Sequence, residues 1–109
     1  MTRVTFLTDD AGVERGFEAD SHSGFAEKGK DIVCAAVSIL TFTTINSIEG
    51  LTDDHPDVTV DEEQCVIRCL FPEEPGEKSR LLLKSYEIGI KSITEEYDRH
   101  VKMSYRRYK

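Results

Sequence analysis

The chain has 109 residues, 39% of them hydrophobic and 32% charged, and a formal net charge of −7. That length specifies one domain, residues 1–109, with one modest core that buries about 65% of the extended surface and leaves little room for an internal cleft, so a site would be shallow, loop-covered or shared between subunits. The acidic balance argues against direct binding of nucleic acid, which needs a basic footprint, and suits a basic protein partner. No N-terminal stretch has the form of a signal peptide and no run approaches about 18 apolar residues, so no membrane span is expected. Three cysteines with no export signal predict reduced thiols and a cytoplasmic location.

Thr2 to Thr8 (TRVTFLT) is rich in β-branched residues and predicts a strand. Asp9 to Gly12 makes an acidic turn, and Val13 to Ala19 returns as the second strand of a hairpin. Gly16 inside that strand marks a bulge or a close backbone approach. Asp20 to Gly29 is then a long connection for a domain of this size, and such loops serve as lids or binding segments. It holds His22, Gly24 and Phe25. Phe25 either packs the loop down or lines a pocket for an aromatic substrate side chain.

Lys28 to Asp31 form a polar lead-in to an apolar run. The spacing predicts a helix from about Lys30 to Glu49, ended by Gly50. Its apolar residues surround nearly the whole circumference, which predicts burial on most sides. The β-branched stretch of Thr41, Thr43, Thr44 and Ile45 would also suit a strand, but Ala35, Ala36 and the length favour a packed helix. Cys34 falls in or near the first turn. Backbone N–H groups at a helix N-terminus favour thiolate over thiol, and a histidine on a preceding loop supplies the base that cysteine nucleophilic catalysis needs. Asp31 lies three residues earlier on the same face, placed to orient an imidazolium. The bland reading stands beside this one: a buried small thiol, a solvated histidine and a helix N-terminal acid.

No lysine or arginine occurs from Asp31 to Ile67, while Glu49 to Glu63 carries seven acids. That run reads as solvated loop and strand edge, or else as an acidic rim for a basic substrate. His55 reads as surface. Asp57 to Asp61 and Gln64 to Phe71 predict a second hairpin, with Cys65 and Cys69 both pointing into the core. At about 13 Å apart along a strand they cannot form a disulfide, and no Cys/His spacing suits zinc. Ser79 to His100 predicts the second long helix, with Leu82, Tyr86, Ile90, Ile93 and Tyr97 as its buried stripe and a Glu87–Lys91 pair on its wet face. Val101 to Lys109 alternates as a last strand. The order β-β-α-β-β-α-β makes an α+β domain with a mixed or antiparallel sheet packed with two long helices.

The block HSGFAEKGKDIVCAAVS, from His22 to Ser38, resembles the signature of the Prp family of ribosomal-processing cysteine proteases. INSIEGLT and ITEEYDRHVKMSY fit the same pattern more loosely. The resemblance implies His22 as general base, Cys34 as nucleophile and Asp31 as a supporting group. Ser21, Ser23, Gly24 and Phe25 are the candidate substrate-binding residues. Ser21 stands where the family typically has glycine, which limits access to positive φ. The resemblance further implies a homodimer, and cysteine acyl transfer needs no cofactor or metal. Its substrate would be the N-terminal extension of a basic large-subunit ribosomal protein, the twenty-seventh, removed for ribosome assembly. The alternative is a non-catalytic assembly module that holds a basic ribosomal protein on its acidic surface.

Overall fold

The computed structural model describes residues 1–21 and 30–108, with the side chains of residues 30 and 31 outside the description. The expected order holds: β1 (Thr2–Thr8), β2 (Glu14–Asp20), α1 (Lys30–Leu51), β3 (Asp57–Asp61), β4 (Val66–Leu70), α2 (Glu77–Glu96) and β5 (Val101–Arg107). The strands form one sheet in the order β3-β4-β2-β1-β5. The hairpin partners run antiparallel, and β5 lies parallel to β1 at the edge.

Strand alternation divides the sheet into two faces. Val4, Phe6, Phe17, Ala19 and Cys69 turn one way and join α1 and α2 in a single core. Tyr86 is its keystone: the ring packs on Phe17 and Phe6 at centroid distances of 4.4 and 5.7 Å, and its hydroxyl is 2.7 Å from the Thr41 hydroxyl. That bond satisfies two polar groups buried where water cannot reach. The other face is polar. Thr5 bonds Ser104 there, and Glu18 pairs with Arg68 and Arg106. Gly16 behaves as its sequence position implied. It has φ +151° beside a register shift, and a Cβ there would meet the Cys69 carbonyl oxygen at 2.2 Å.

Several expectations are corrected. α1 is buried on one face only, through Val33, Val37, Thr41, Thr44, Ile45 and Ile48, while Ile32 and Ile39 are 69% and 67% exposed. Its partners reach one side, so the apolar residues opposite face outward. Ile32–Leu51 is in fact long and apolar enough to cross a membrane by composition, but its inner face packs into the core. Gly50 does not end α1; the helix runs on to Leu51, where the Thr52 N–H and hydroxyl both donate to Ile48 O. α2 buries Ser79, Leu83, Tyr86 and Ile90 and ends at Glu96, leaving Tyr97 exposed. Glu87 pairs with Lys84 and accepts from the Tyr105 hydroxyl instead of pairing with Lys91, because β5 lies over that side of the helix. Cys69 is core, but Cys65 is exposed: it sits in the hairpin turn with φ +56°, so the strand parity does not extend to it.

Candidate active site

Cys34 is the fifth residue of α1 and is half-exposed. Its neighbours Val33 and Val37 are 1% exposed. At 100° per residue this places the sulfur on the rim of the buried face, with the core on one side and solvent on the other. On the core side it meets the sheet, where the Thr2 hydroxyl lies 3.5 Å from Sγ. Thr2 is fully buried, pairs with Val101 in β5, and donates its N–H to His100 O at 2.8 Å.

β2 ends and β4 begins at this same end of the sheet. The Ser21 N–H donates to Cys65 O at 2.9 Å, which ties the exit of β2 to the β3–β4 turn. Both ends of the segment that joins Ser21 to α1 therefore lie at the Cys34 end. His22, Ser23, Gly24 and Phe25 fall outside the described residues, as does the side chain of Asp31. The structure brings Ser21 to this end and leaves the geometry of the other five undescribed. Since α1 begins at Lys30, the Cys34 N–H belongs to the i→i−4 ladder, and the N–H groups with no acceptor inside the helix are those of the first turn before it.

The other two thiols differ from Cys34 in setting. Burial pushes the Cys69 thiol up to about 12, followed by the nearby charge of Glu49, so it stays protonated and unreactive. Cys65 is exposed, its sulfur 3.6 Å from Glu62 O. Among the described residues, no group of three or more His, Cys, Asp or Glu side chains could hold a metal.

The acidic run does not form one rim. Asp61, Glu62 and Glu63 sit at the β3–β4 turn, near Ser21, while Glu49, Asp53 and Asp54 lie at the far end of α1. Asp54 caps α2: its carboxylate accepts from the Gly76 N–H at 3.0 Å and from the buried Ser79 hydroxyl. Those bonds, Ser79 first, hold the Asp54 carboxyl below its ordinary value. Thr2 and Asp54 were not singled out in the sequence. Thr2 shares strand parity with Val4 and Phe6, which is a usable signal. Asp54 reaches a helix that starts more than twenty positions later, and no local pattern marks it.

The family model described as Cysteine protease Prp matches residues 1–102. The Staphylococcus aureus (strain Mu50) ribosomal processing cysteine protease Prp is 28% identical over 106 residues, covering 97% of this chain and 100% of its own length. The Bacillus subtilis (strain 168) protein of the same name is 28% identical over 92 residues, 81% of this chain and 82% of its own. The crystal structure of the Staphylococcus aureus protease with a substrate peptide superposes with a TM-score of 0.91 at 27% identity, covering 97% of this chain and 100% of that one. A second structure of that protease, with a covalently linked product peptide, gives 0.86 at 28% identity over the same shares. The crystal structure of a Streptococcus mutans protein gives 0.87 at 28% identity, covering 99% of both chains. These likenesses run through the whole two-layer fold, and the chain is a cysteine protease. It belongs to the Prp family, which sets aside the binding-only module.

Proposed function

We propose that this protease removes the N-terminal extension of a basic large-subunit ribosomal protein, the twenty-seventh, during ribosome assembly in the cytoplasm. The observation that carries the reading is the match, over 97% of the chain, to a ribosomal processing protease solved with a substrate peptide. Cys34 is the nucleophile: it is half-exposed at the end of the sheet from which the Ser21–Lys30 segment departs and to which it returns. His22 accepts the Cys34 proton, the thiolate attacks the peptide carbonyl, and first-turn N–H groups of α1 stabilise the oxyanion. His22 then protonates the leaving amine, and water hydrolyses the acyl-enzyme. Asp31 orients the imidazolium, and Ser21, Ser23, Gly24 and Phe25 bind the peptide. No cofactor or metal takes part.

The working form is a homodimer. An uncharged, exposed stripe of Ile32, Ile39 and Phe42 on α1 supports this, since a second copy would cover it without like-charge repulsion. Incubation of the purified protein with uncut ribosomal precursor tests the activity. Release of the extension is expected, with none from Cys34→Ser or His22→Ala, and normal cleavage by Cys34→Ser overturns the nucleophile assignment. Sedimentation tests the dimer: Ile39→Glu is expected to sediment as a monomer, and an unaltered dimer removes α1 as the contact.

A further inference from the structure

We propose that Thr2 is a positioning residue for Cys34, its hydroxyl fixing the sulfur and donating a hydrogen bond to the thiolate. The inference rests on the reading of Cys34 as nucleophile. Thr2 is 1% exposed, and its Oγ1 lies 3.5 Å from Cys34 Sγ. A buried hydroxyl needs a hydrogen-bond partner, and here the partner is the sulfur. The hydroxyl is itself held firmly. The Thr2 N–H is bonded to His100 O, its backbone pairs with Val101, and a β-branched side chain has few rotamers. The sulfur, by contrast, is half-buried near the start of α1. Thr2 thus supplies a fixed reference on the core side for a nucleophile whose outer side must stay open to substrate.

The chemistry gives this contact a direction. With a neutral thiol either group can donate. Once the thiol proton has moved to the base, sulfur can only accept, so the hydroxyl becomes the donor and the bond is charge-assisted. During attack the S–C bond forms and charge moves from sulfur to the carbonyl oxygen, so the bond from Thr2 weakens. During deacylation, the base takes a proton from water, the oxygen adds to the acyl carbon, and the C–S bond breaks with its electron pair departing on Sγ. The Thr2 hydroxyl then accommodates the returning charge without transferring its own proton.

The test uses the full chain carrying Cys65→Ser, so that Cys34 is the one accessible thiol. Thr2→Val keeps the shape and removes the hydroxyl, Thr2→Ala removes it with less bulk should the valine variant fold poorly, and Thr2→Ser retains it. The readouts are the pH profile of iodoacetamide alkylation at Cys34 and the single-turnover rates of acylation and deacylation on a peptide ester. The hydroxyl-free variants are expected to alkylate about tenfold more slowly at pH 7, to converge with the parent at high pH and to deacylate more slowly. Thr2→Ser is expected to restore most of the parent profile. Superimposable profiles for parent and hydroxyl-free variants overturn the proposal, as does a serine variant as slow as the valine one. Active Cys34→Ser protein would instead overturn the nucleophile reading beneath it.

Discussion

The two ends of the sheet, about 20 Å apart along β1, are built on different terms. At the far end Asp54 caps α2, and Arg15 donates to the carbonyls of Phe71 and Pro72 while its guanidinium lies 4.7 Å from the Tyr108 ring centroid. Glu14, Lys84, Glu87 and Tyr105 form a linked polar cluster there as well. At the Cys34 end the described ties are of another kind: the Thr2–Cys34 contact, the backbone Thr2–His100 and Ser21–Cys65 bonds, and local turn bonds from Gln64 to Asp61 and from Cys65 to Glu62. On the reading of Cys34 as nucleophile, the difference teaches that stability and chemistry are housed separately. Cross-links at the far end hold the helices on the sheet through side chains distant in sequence.

If the ends are separate in function, substitutions should sort by position. Cys34→Ser should lower cleavage on the order of 10³-fold or more with melting temperature unchanged, measured on ribosomal precursor beside thermal unfolding. Gly16→Ala should do the reverse. It forces a methyl against the Cys69 carbonyl at 2.2 Å, so roughly 3 kcal/mol of unfolding free energy should be lost in urea titration while residual folded protein still cleaves. Asp54→Ala should cost about 1–2 kcal/mol by the same titration, since the α2 cap is lost and the buried Ser79 hydroxyl keeps only a 3.4 Å contact to the Thr52 hydroxyl. Because the Asp54 carboxyl is held below its usual range, the stability it adds is present above pH 4 and fades as pH falls through the lowered value.

Glu14 has the opposite sign and a smaller effect. Burial foremost, with Lys84 opposing it and Glu87 adding to it, raises its carboxyl above the ordinary value. Its contribution is therefore greatest below that ordinary value and declines as pH rises through the raised one. Glu14→Gln should stabilise the fold at pH 7 by less than about 1 kcal/mol, and parent and variant should converge near pH 4 in thermal melts. Smallest of all, Cys65→Gly relieves a non-glycine residue at φ +56° and should raise the melting temperature by a degree or two, about 0.5 kcal/mol. A Glu14 or Asp54 variant that changed the chemical step would blur the division between the two ends.

Much of the fold was legible in the residues. Strand periodicity gave β1, β2 and β3 within a residue, and the length of the apolar run with Ala35 and Ala36 favoured helix for α1 despite its threonines. Gly16 announced the bulge because only a missing Cβ fits there. Burial around α1 was not legible, since apolar composition says what can be buried and not on which side a partner will lie. Cys65 was misjudged for a related reason: period-two parity fails where a strand yields to a turn. The candidate site divided along the same line. Cys34 stood out by its place at the head of a helix, whereas Thr2, thirty-two positions away in sequence, acquires a relation to it only when β1 packs on α1.

By itself the sequence determined the element order, the helix that carries Cys34 and the block from His22 to Ser38 that marks the family, because these depend on local periodicity and neighbouring residue types. Tertiary structure alone decided which face of α1 is buried, that β5 joins β1 in parallel, that the acids divide between two ends, and that Thr2 abuts the sulfur. Each of these is a meeting of residues distant in the chain, and such meetings are fixed by the packing of one surface on another.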